Sequence, residues 1–318
     1  MIRNLMLFFI ASFVLVFIFF KQKNVKFLNA KKIGIIKETK NLNLKLTKNP
    51  INASIEDFEG GFILSYRMNE ENFSYIGLSI LDKNFNETFS KKIDVNSNFA
   101  EDPRIFKFQN EYFLIYNDKL NISHNCRTMH ISKLNEKFDI EFKTNLDLHI
   151  KPIEKNWVPF NDGNNFMFAY GLVPHKIMML KNFKKNDLHH LTFENNPCLS
   201  RFYWNFGDPR GGTPAKLVDD SYLAFFHSSF GKNKKKMNYV MGAYIFDKNP
   251  PYKIKKISNF PIFFESFDKT RIVFPAGFVI KKIYGKDYIY LSLGINDSSS
   301  KILVIDKEKL FSHMKDVN

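Results

Sequence analysis

Cysteine is scarce in this chain, which has Cys126 and Cys198 and no others among its 318 residues. Two cysteines are too few for a disulfide framework, and they cannot complete a zinc site built on cysteine ligands. His124 and His130 lack the neighbouring ligands that a zinc ion needs. We therefore expect no metal site and no cofactor.

Acidic residues are also in short supply, because 32 Asp and Glu face 47 Lys and Arg and leave a formal charge of +15. The lysines are scattered through the sequence, and no nucleic-acid-binding motif accompanies them, so we expect no nucleic-acid partner. A basic surface favours smaller anions, such as inorganic phosphate or the diphosphate of a nucleotide sugar.

Long apolar stretches are missing, with one exception near the N-terminus. Residues 5–20 carry no charge and lie between Arg3 and Lys21. As a helix they would span about 24 Å, slightly less than the ~30 Å hydrocarbon core of a bilayer. The tract that follows offers a poor signal-peptidase site around residues 28–30, which favours a retained anchor over a cleaved signal peptide. We expect a single-pass membrane protein and leave its orientation open.

A helical hydrophobic period is absent after residue 50, and a strand-like pattern takes its place. A turn-rich approach leads to an aromatic residue, three mostly apolar residues and usually a second aromatic. The pattern occurs at residues 62–66, 112–116, 166–170, 222–226 and, in degraded form, 288–292. The first aromatics are 50, 54, 56 and 66 residues apart.

A period near 50 with several short strands per unit is typical of propeller blades, whose small sheets are covered only by stacking on the next blade. The sequence therefore predicts an all-β protein, a five-bladed β-propeller preceded by one N-terminal transmembrane helix. An aromatic-rich β-sandwich is the alternative, which the matching turns disfavour. We expect an anchor or signal peptide at 1–22, a linker and entry strand at 23–48, and the propeller at 49–310. Functional side chains should lie in the central channel and at one mouth.

Charged residues stand beside proline shortly before several repeats. Asp102 precedes Pro103 and is followed by Arg104, neighbours that constrain its direction and protonation, although an Asp-Pro-Arg alone is a common turn. Arg210 precedes Gly211 and Gly212, where a ligand could approach the backbone closely, so this tract suggests an oxyanion or phosphate site.

Other polar side chains recur near the repeats. His227 and Tyr239 could donate hydrogen bonds to an anion, although a structural histidine is the simpler interpretation of His227 alone. Carboxylates and amides commonly hold sugar hydroxyls, and an aromatic ring such as that of Trp157 offers a face to a pyranose. The candidate substrate-binding residues are Asn52, Ser54, Arg67, Arg104, Asn156, Trp157, Asp208 and Asp297. The candidate anion-binding residues are Lys155, Arg210, His227 and Tyr239.

Several of these motifs resemble those of glycoside hydrolase family 130, the β-mannoside phosphorylases. Residues 101–104 look like the family's Glu-Asp-Pro-Arg, and His227 followed by Tyr239-Val240-Met241-Gly242-Ala243 is similar to its histidine strand and Tyr-x-x-Gly-Ala. Residues 273–277 resemble Val-Phe-Pro-Cys-Gly, and residues 294–297 resemble Gly-Ala-Ala-Asp. The motifs keep the family's order over roughly residues 50–305.

The resemblance implies a five-bladed propeller that acts on a β-mannosyl glycan. It implies that Asp102 protonates the departing glycosidic oxygen, that Asn52 and Asp297 hold the sugar, and that His227 and Tyr239 lie where phosphate attacks. The chain departs from the family in the third blade, where Lys155-Asn156-Trp157 stands in place of phosphate-clamping arginines.

Three functions are consistent with these motifs. The first is a glycoside phosphorylase, or a mannosyltransferase whose anion site receives a sugar nucleotide. The second is a hydrolase, which needs a second carboxylate, with Asp208 and Glu265 as candidates. The third is a glycan-binding propeller without activity, which would have no need of an acid.

Overall fold

The computed structural model describes residues 29–119, 126–146, 151–181, 192–196, 200–231, 237–262, 265 and 269–317. Within them, strands form five separate antiparallel sheets, the blades of a propeller. Strand β1 (Ile36–Asn41) comes first in the chain. Blade 1 contains β2 (Ile51–Phe58), β3 (Gly61–Glu70), β4 (Phe73–Leu81) and β5 (Glu87–Ile93). Blade 2 contains β6 (Glu101–Phe108), β7 (Glu111–Lys119), β8 (Arg127–Leu134) and β9 (Ile140–Asn145).

The later blades differ in how they are completed. Blade 3 contains β10 (Val158–Asp162), β11 (Asn165–Leu172), β12 (His175–Lys181) and β13 (Thr192–Asn196). Blade 4 contains β14 (Arg210–Gly211), β15 (Lys216–Val218), β16 (Ser221–Phe230), β17 (Asn238–Asp247), β18 (Ile254–Ser258) and the C-terminal β22 (Met314–Asp316). Blade 5 contains β19 (Val273–Ile283), β20 (Lys286–Ile295), β21 (Ser299–Asp306) and, at its outer edge, β1. A short helix, α1 (Lys307–Ser312), joins β21 to β22.

The predicted five-bladed propeller is confirmed, and the aromatic repeat marks the same strand each time. The five repeats lie in β3, β7, β11, β16 and β20, the strand next to the innermost one in each blade. In blade 4, β14 and β15 together form the innermost strand, and both pair with β16. The five repeat strands are buried on both faces, because each sheet stacks between two others. This explains why their sequences are continuously apolar instead of alternating.

Five hydrophobic cores separate the blades, one for each neighbouring pair, and together they close the ring. The core between blades 5 and 1 joins Val279 and Ile302 to Ile55 and Leu64. The outer edge of blade 5 is formed by a strand that is distant in sequence, since β1 pairs with β21 along residues 36–41.

The predicted membrane span at residues 5–20 lies outside the described residues and stays a prediction. Among the residues that the structure describes, no helix is both long and apolar enough to cross a bilayer.

The first strands of blades 1, 2 and 5 contact one another, which places the first strand of each blade at the centre of the propeller. We call the end at which these strands begin the upper mouth and the end at which they finish the lower mouth. In blade 4 this inner strand is split into β14 and β15. Gly212 lies in the break, and a Cβ there would be 2.5 Å from the Phe225 carbonyl oxygen and 2.8 Å from Pro275 of blade 5. Only glycine fits this approach without displacing backbone.

Contacts between described residues cross the channel from one blade to another that is not its neighbour. The Nε of Arg104 in blade 2 donates to the carbonyl of Gly212 in blade 4, well inside the channel. Near the lower mouth, Lys216 of blade 4 forms an ion pair with Glu56 of blade 1. Arg104 is 1% exposed and Glu56 is 5% exposed. The channel is therefore bridged by side chains in at least two places.

We predict that Gly277→Ala destabilises the ring where blade 5 meets blade 1. An added Cβ would lie 2.4 Å from the Ser54 Oγ and 2.5 Å from the Ile55 amide nitrogen, so the backbone must shift. The expected loss in free energy of unfolding is about 2 kcal/mol, measured by urea denaturation. Gly171→Ala is the matched control, because its nearest contact would be an ordinary 3.4 Å. Equal losses in the two variants would contradict the close-approach explanation.

We predict a similar loss for Arg104→Met, which removes the guanidinium and leaves the Gly212 carbonyl without its donor. A buried acceptor without a partner costs about 2 kcal/mol, again measured by urea denaturation. Arg201→Met changes an exposed arginine and should leave stability unchanged. Full stability of Arg104→Met would show that the channel does not depend on this contact.

Candidate active site at the upper mouth

Asp102 and Asn52 occupy equivalent irregularities at the start of two inner strands. Asp102 has φ 53° and Asn52 has φ 51°, left-handed values that Asp and Asn tolerate better than most residues. In both strands the pairing register shifts at this point, in β2 between Ile51 and Ser54 and in β6 between residues 101 and 104. Such bulges re-aim side chains, and here the Asn52 Nδ2 donates to the Asp102 Oδ1 at 2.7 Å.

Arg67 connects three carboxylates at this mouth. Its Nη1 lies 3.4 Å from the Asp102 Oδ1 and 3.8 Å from the Glu101 Oε2, and its Nη2 lies 3.8 Å from the Asp297 Oδ1. The side chains of Arg67 and Asp102 are 13% and 14% exposed, whereas that of Asp297 is 53% exposed. The predicted residues Asn52, Arg67, Asp102 and Asp297 are thus brought together, with Asp297 at the rim.

Glu101 and Arg127 belong to the same cluster, and neither was among the predicted site residues. The Arg127 Nη2 lies 2.6 Å from the Glu101 Oε1, and its Nη1 donates to the Asn117 Oδ1 at 2.8 Å. Burial raises the pKa of Glu101, as does the neighbouring Asp102 charge, while Arg127 opposes the rise. Glu101 could have been suspected from its place beside Asp102, but Arg127 carries no sequence signal.

The pKa of Asp297 is raised, as is that of Glu101. Burial raises the pKa of Asp297, with Arg67 opposing the rise and Asp102 adding to it. Three carboxyl groups around one shared guanidinium therefore compete for its positive charge, which favours at least one of them holding a proton.

Arg104 lies beneath Asp102 and contacts its backbone. Besides its contact with Gly212, its Nη1 donates to the backbone carbonyl of Asp102 at 3.2 Å, and its Nη2 lies 3.5 Å from the Asn156 Oδ1. The guanidinium carbon lies 5.3 Å from the centroid of the Phe274 ring. Burial lowers the pKa of Arg104 to about 10, with Asp102 opposing the shift. Both Arg104 and Asn156 are buried, so they support the site from beneath.

His227, Tyr239 and Arg210 form a second group in blade 4. The Tyr239 ring is stacked on the His227 ring with centroids 6.0 Å apart, and the Arg210 guanidinium lies 5.2 Å from the Tyr239 centroid. The Arg210 Nη2 donates to the Ser229 Oγ at 2.8 Å. Burial lowers the pKa of His227, and the charges of Arg210, Arg104 and Lys155 lower it further. A hydrogen bond to the Gly211 backbone opposes this lowering but does not outweigh it, so His227 is neutral at neutral pH. Its buried Nδ1 has no hydrogen-bond partner within the described part of the chain.

Lys155 links the two groups electrostatically. Burial raises the pKa of Glu101 and of Asp297 in the carboxylate cluster, and the positive charge of Lys155 opposes both rises. Burial lowers the pKa of His227 in the basic group, and the Lys155 charge adds to that lowering. Lys155 itself is exposed, on the segment that leads into β10. Phe274 connects the groups directly, since its ring lies 5.3 Å from the Arg104 guanidinium carbon and 4.7 Å from the His227 ring, so the two groups are neighbours at the upper mouth.

Two of the predicted sugar-binding residues are buried in the packed interior of the protein. Trp157 is fully buried, with its ring against Phe168 and Tyr170 and its Nε1 donating to Glu154, so no ring face is open to a sugar. Ser54 is also fully buried, and its Oγ accepts from the amide of Ile105 in the next blade.

Neither of the two carboxylates suggested for a hydrolase shares a hydrogen bond or an ion-pair partner with Asp102 among the described residues. Asp208 is exposed, and no described residue forms an ion pair with it. Glu265 is held by Lys301 at 2.8 Å and by the Thr270 hydroxyl at 2.5 Å. Burial acts to raise the pKa of Glu265, but these two hydrogen bonds outweigh it, so the pKa is lowered. Glu265 is thus an ion-paired carboxylate instead of a poised base.

The arrangement places three carboxyl groups around Arg67, beside a set of cationic and neutral donors. A carboxylic acid can protonate a leaving oxygen, and fixed cations can hold an anion such as a phosphoryl group.

Solved structures with the same fold cover nearly the whole chain. A glycosyl hydrolase from Bacteroides ovatus is 17% identical with a TM-score of 0.58, over 89% of this chain and 94% of that one. The β-1,2-mannobiose phosphorylase from Listeria innocua is 14% identical with a TM-score of 0.60, over 86% and 96%. The GDP-Man-dependent mannosyltransferase MPT-1 from Leishmania mexicana is 16% identical with a TM-score of 0.51, over 87% and 92%.

At these identities the likeness shows the fold, and a search of curated proteins finds no match. The family is shown by a different comparison. The model of the β-1,4-mannooligosaccharide phosphorylases, glycoside hydrolase family 130, matches residues 32–316, which include every blade. On this match and the ordered motifs at the upper mouth, the chain belongs to glycoside hydrolase family 130.

Proposed function

We propose that this protein transfers a β-mannosyl unit between a glycan and an anion, with Asp102 as general acid. The anion is inorganic phosphate or the diphosphate of a sugar nucleotide. One observation carries the proposal: the Phe274 ring lies 5.3 Å from the Arg104 guanidinium carbon, beneath Asp102, and 4.7 Å from the His227 ring, so the basic group borders the support of the acid.

The proposed chemistry needs one acid and one held anion. In the direction of glycan cleavage, Asp102 donates its proton to the glycosidic oxygen as the bond from that oxygen to C1 of mannose breaks. A phosphate oxygen forms the new bond to C1, and the products are mannose 1-phosphate and a shortened glycan. Phosphate is already a nucleophile, so the protein needs only to orient it and balance its charge.

Individual residues have separate tasks in this proposal. Arg210 and Lys155 supply charge to the anion, and Tyr239, whose ring stacks on that of His227, supplies a neutral hydrogen-bond donor. Asn52 and Arg67 orient the Asp102 carboxyl, and Asp297 at the rim accepts hydrogen bonds from sugar hydroxyls. Arg104 and Asn156 stabilise the backbone beneath the acid.

The disposition of carboxylates favours transfer to an anion over hydrolysis. An inverting hydrolase uses a second carboxylate to activate water on the face opposite its acid. Glu265 is paired with Lys301, and Asp208 is exposed without an ion-pair partner among the described residues. The solved relatives that use phosphate or a sugar nucleotide are consistent with an anion at this mouth.

The assay that tests the proposal uses the purified full-length protein in mild detergent. It is incubated with β-1,2- and β-1,4-mannobiose, with and without phosphate, and separately with GDP-mannose and mannose acceptors. We expect either phosphate-dependent release of mannose 1-phosphate or elongation of an acceptor from the sugar nucleotide. Release of free mannose at the same rate without phosphate would contradict the proposal and favour hydrolysis.

We predict that Asp102→Asn lowers kcat by at least about 100-fold, because an amide cannot donate the proton that the leaving oxygen needs. Asp220→Asn is the control, since Asp220 is an exposed aspartate that pairs with Lys248 far from the site. If Asp102→Asn keeps its activity while the fold is intact by circular dichroism, Asp102 is not the acid.

We predict that Arg210→Gln raises the KM for the anionic substrate about tenfold, because a charge-assisted contact is lost. The KM for the mannobiose should change much less. Arg201→Gln, at an exposed arginine of the same chain, is expected to leave both constants unchanged. If Arg210→Gln leaves the KM for the anionic substrate unchanged, Arg210 does not bind the anion.

A further inference from the structure

The inner strands β2 and β6 each have one edge that pairs with no other described strand, because each is the first strand of its sheet. Backbone N–H and C=O groups on such an edge need hydrogen-bond partners wherever they are buried. Next to Asn52 in β2 and Asp102 in β6, these partners are serine hydroxyls of a neighbouring blade. The same two positions carry the left-handed backbone and the shift in pairing register.

Two serines of blade 1 hold the backbone that follows Asp102. The Ser65 Oγ donates to the carbonyl of Pro103 at 3.2 Å. The Ser54 Oγ accepts from the amide of Ile105 at 3.3 Å. Both serines are 0% exposed, and their two backbone partners are buried as well. Blade 1 therefore fixes the backbone immediately after the acid.

Two serines of blade 5 hold the backbone around Asn52 in the same way. The Ser300 Oγ donates to the Pro50 carbonyl at 2.9 Å and accepts from the Ala53 amide at 3.1 Å. The Ser292 Oγ donates to the Ala53 carbonyl at 2.6 Å. Ser300 is 1% exposed and Ser292 is 0% exposed. The buried hydroxyl of Ser300 thus bridges the backbone on both sides of Asn52.

Blade 5 also sets the direction of the Asn52 amide. The Asn52 side chain lies against Gly294, where an added Cβ would overlap the Asn52 Oδ1. The amide consequently has room only because residue 294 lacks a side chain. In this direction its Nδ2 reaches the Asp102 Oδ1 at 2.7 Å. The geometry of the hydrogen bond between Asn52 and Asp102 therefore depends on blade 5.

We propose that Ser65 and Ser300 are positioning residues for catalysis, which fix Asp102 and Asn52 from the neighbouring blades. The inference rests on the proposed function, in which Asp102 is the acid and Asn52 orients it. A left-handed φ at a residue other than glycine costs free energy and persists only where the surroundings hold it. The two serines supply that restraint through backbone contacts, so neither needs to touch the glycan or the anion.

Steady-state kinetics of the purified full-length protein test the role of each serine. In Ser65→Ala and in Ser300→Ala we expect kcat to fall about tenfold, because small displacements of a catalytic group slow the reaction strongly. The KM values for the mannobiose and for the anion should change by less than about twofold, since the binding groups stay in place. Ser258→Ala is the matched control and should leave kcat unchanged. Ser258 is 4% exposed, and its Oγ accepts from the Ala243 amide at 3.0 Å within blade 4.

A double-mutant cycle separates positioning from a general loss of stability. If Ser300 acts through Asn52, Ser300→Ala should lower kcat by less than about twofold once Asn52→Ala is present. Independent effects would instead multiply, and that result overturns the proposal. An unchanged kcat in Ser65→Ala or in Ser300→Ala overturns it as well, as does a rise in KM without a fall in kcat.

Hydrogen exchange gives a readout that does not need turnover. The amides of residues 101–106, followed by mass spectrometry, should exchange faster in Ser65→Ala than in the parent, whereas Ser258→Ala should match the parent. Equal exchange in Ser65→Ala and the parent overturns the role of Ser65 even if no activity is found.

Ser65→Cys and Ser300→Cys keep the side-chain size and weaken the hydrogen bonds, so each replaces an alanine variant that does not fold, with the same expectations. The proposed function fails on a different result, full activity of Asp102→Asn, whereas this inference fails on the serine variants. The two failures are therefore distinguishable in one set of assays.

Discussion

The buried guanidinium of Arg104 is the contact on which the arrangement of the upper mouth depends. It joins the backbone of Asp102 in blade 2 to the Gly212 carbonyl in blade 4 and to the Asn156 side chain at the start of blade 3. Arginine suits this place because its fixed fork of donors can reach three acceptors at once. The inner ends of three blades are thereby held at set distances, and the left-handed backbone at Asp102 is supported from below.

At the upper mouth, above Arg104, the carboxylate cluster lies on one side and the basic group on the other. Glu101, Asp102 and Asp297 share the charge of Arg67, while His227 lies among Arg210, Arg104 and Lys155 and stays neutral because it is buried. In the proposed function, this division supplies a proton donor on one side and an anion-binding surface on the other. Lys155, whose charge acts on both sides, takes in that proposal the place of arginines in the third blade.

The fold could be predicted from the sequence because, in each blade, the strand next to the innermost one is covered on both faces. The five blades therefore repeat the same apolar pattern. Asp102, Asn52, Asp297, His227 and Tyr239 could be named as candidates from motifs and from their similar positions relative to the repeats. The partners that organise them could not, because Arg127 and Glu101 meet across a sheet, and Arg104 and Gly212 are 108 residues apart. Trp157 shows the opposite case, since an aromatic beside a polar tract suggested a sugar platform and the structure encloses its ring in the core.

The central claim is that one mouth holds both the acid and the anion, and a crystal structure with bound ligands tests it most directly. Crystals of the Asp102→Asn protein would be soaked with inorganic phosphate and a β-mannobiose. The account predicts phosphate in contact with Arg210 and Lys155 beside His227, and the glycosidic oxygen within hydrogen-bond distance of residue 102. A disaccharide whose glycosidic oxygen points away from residue 102, or phosphate bound only outside this mouth, would contradict it.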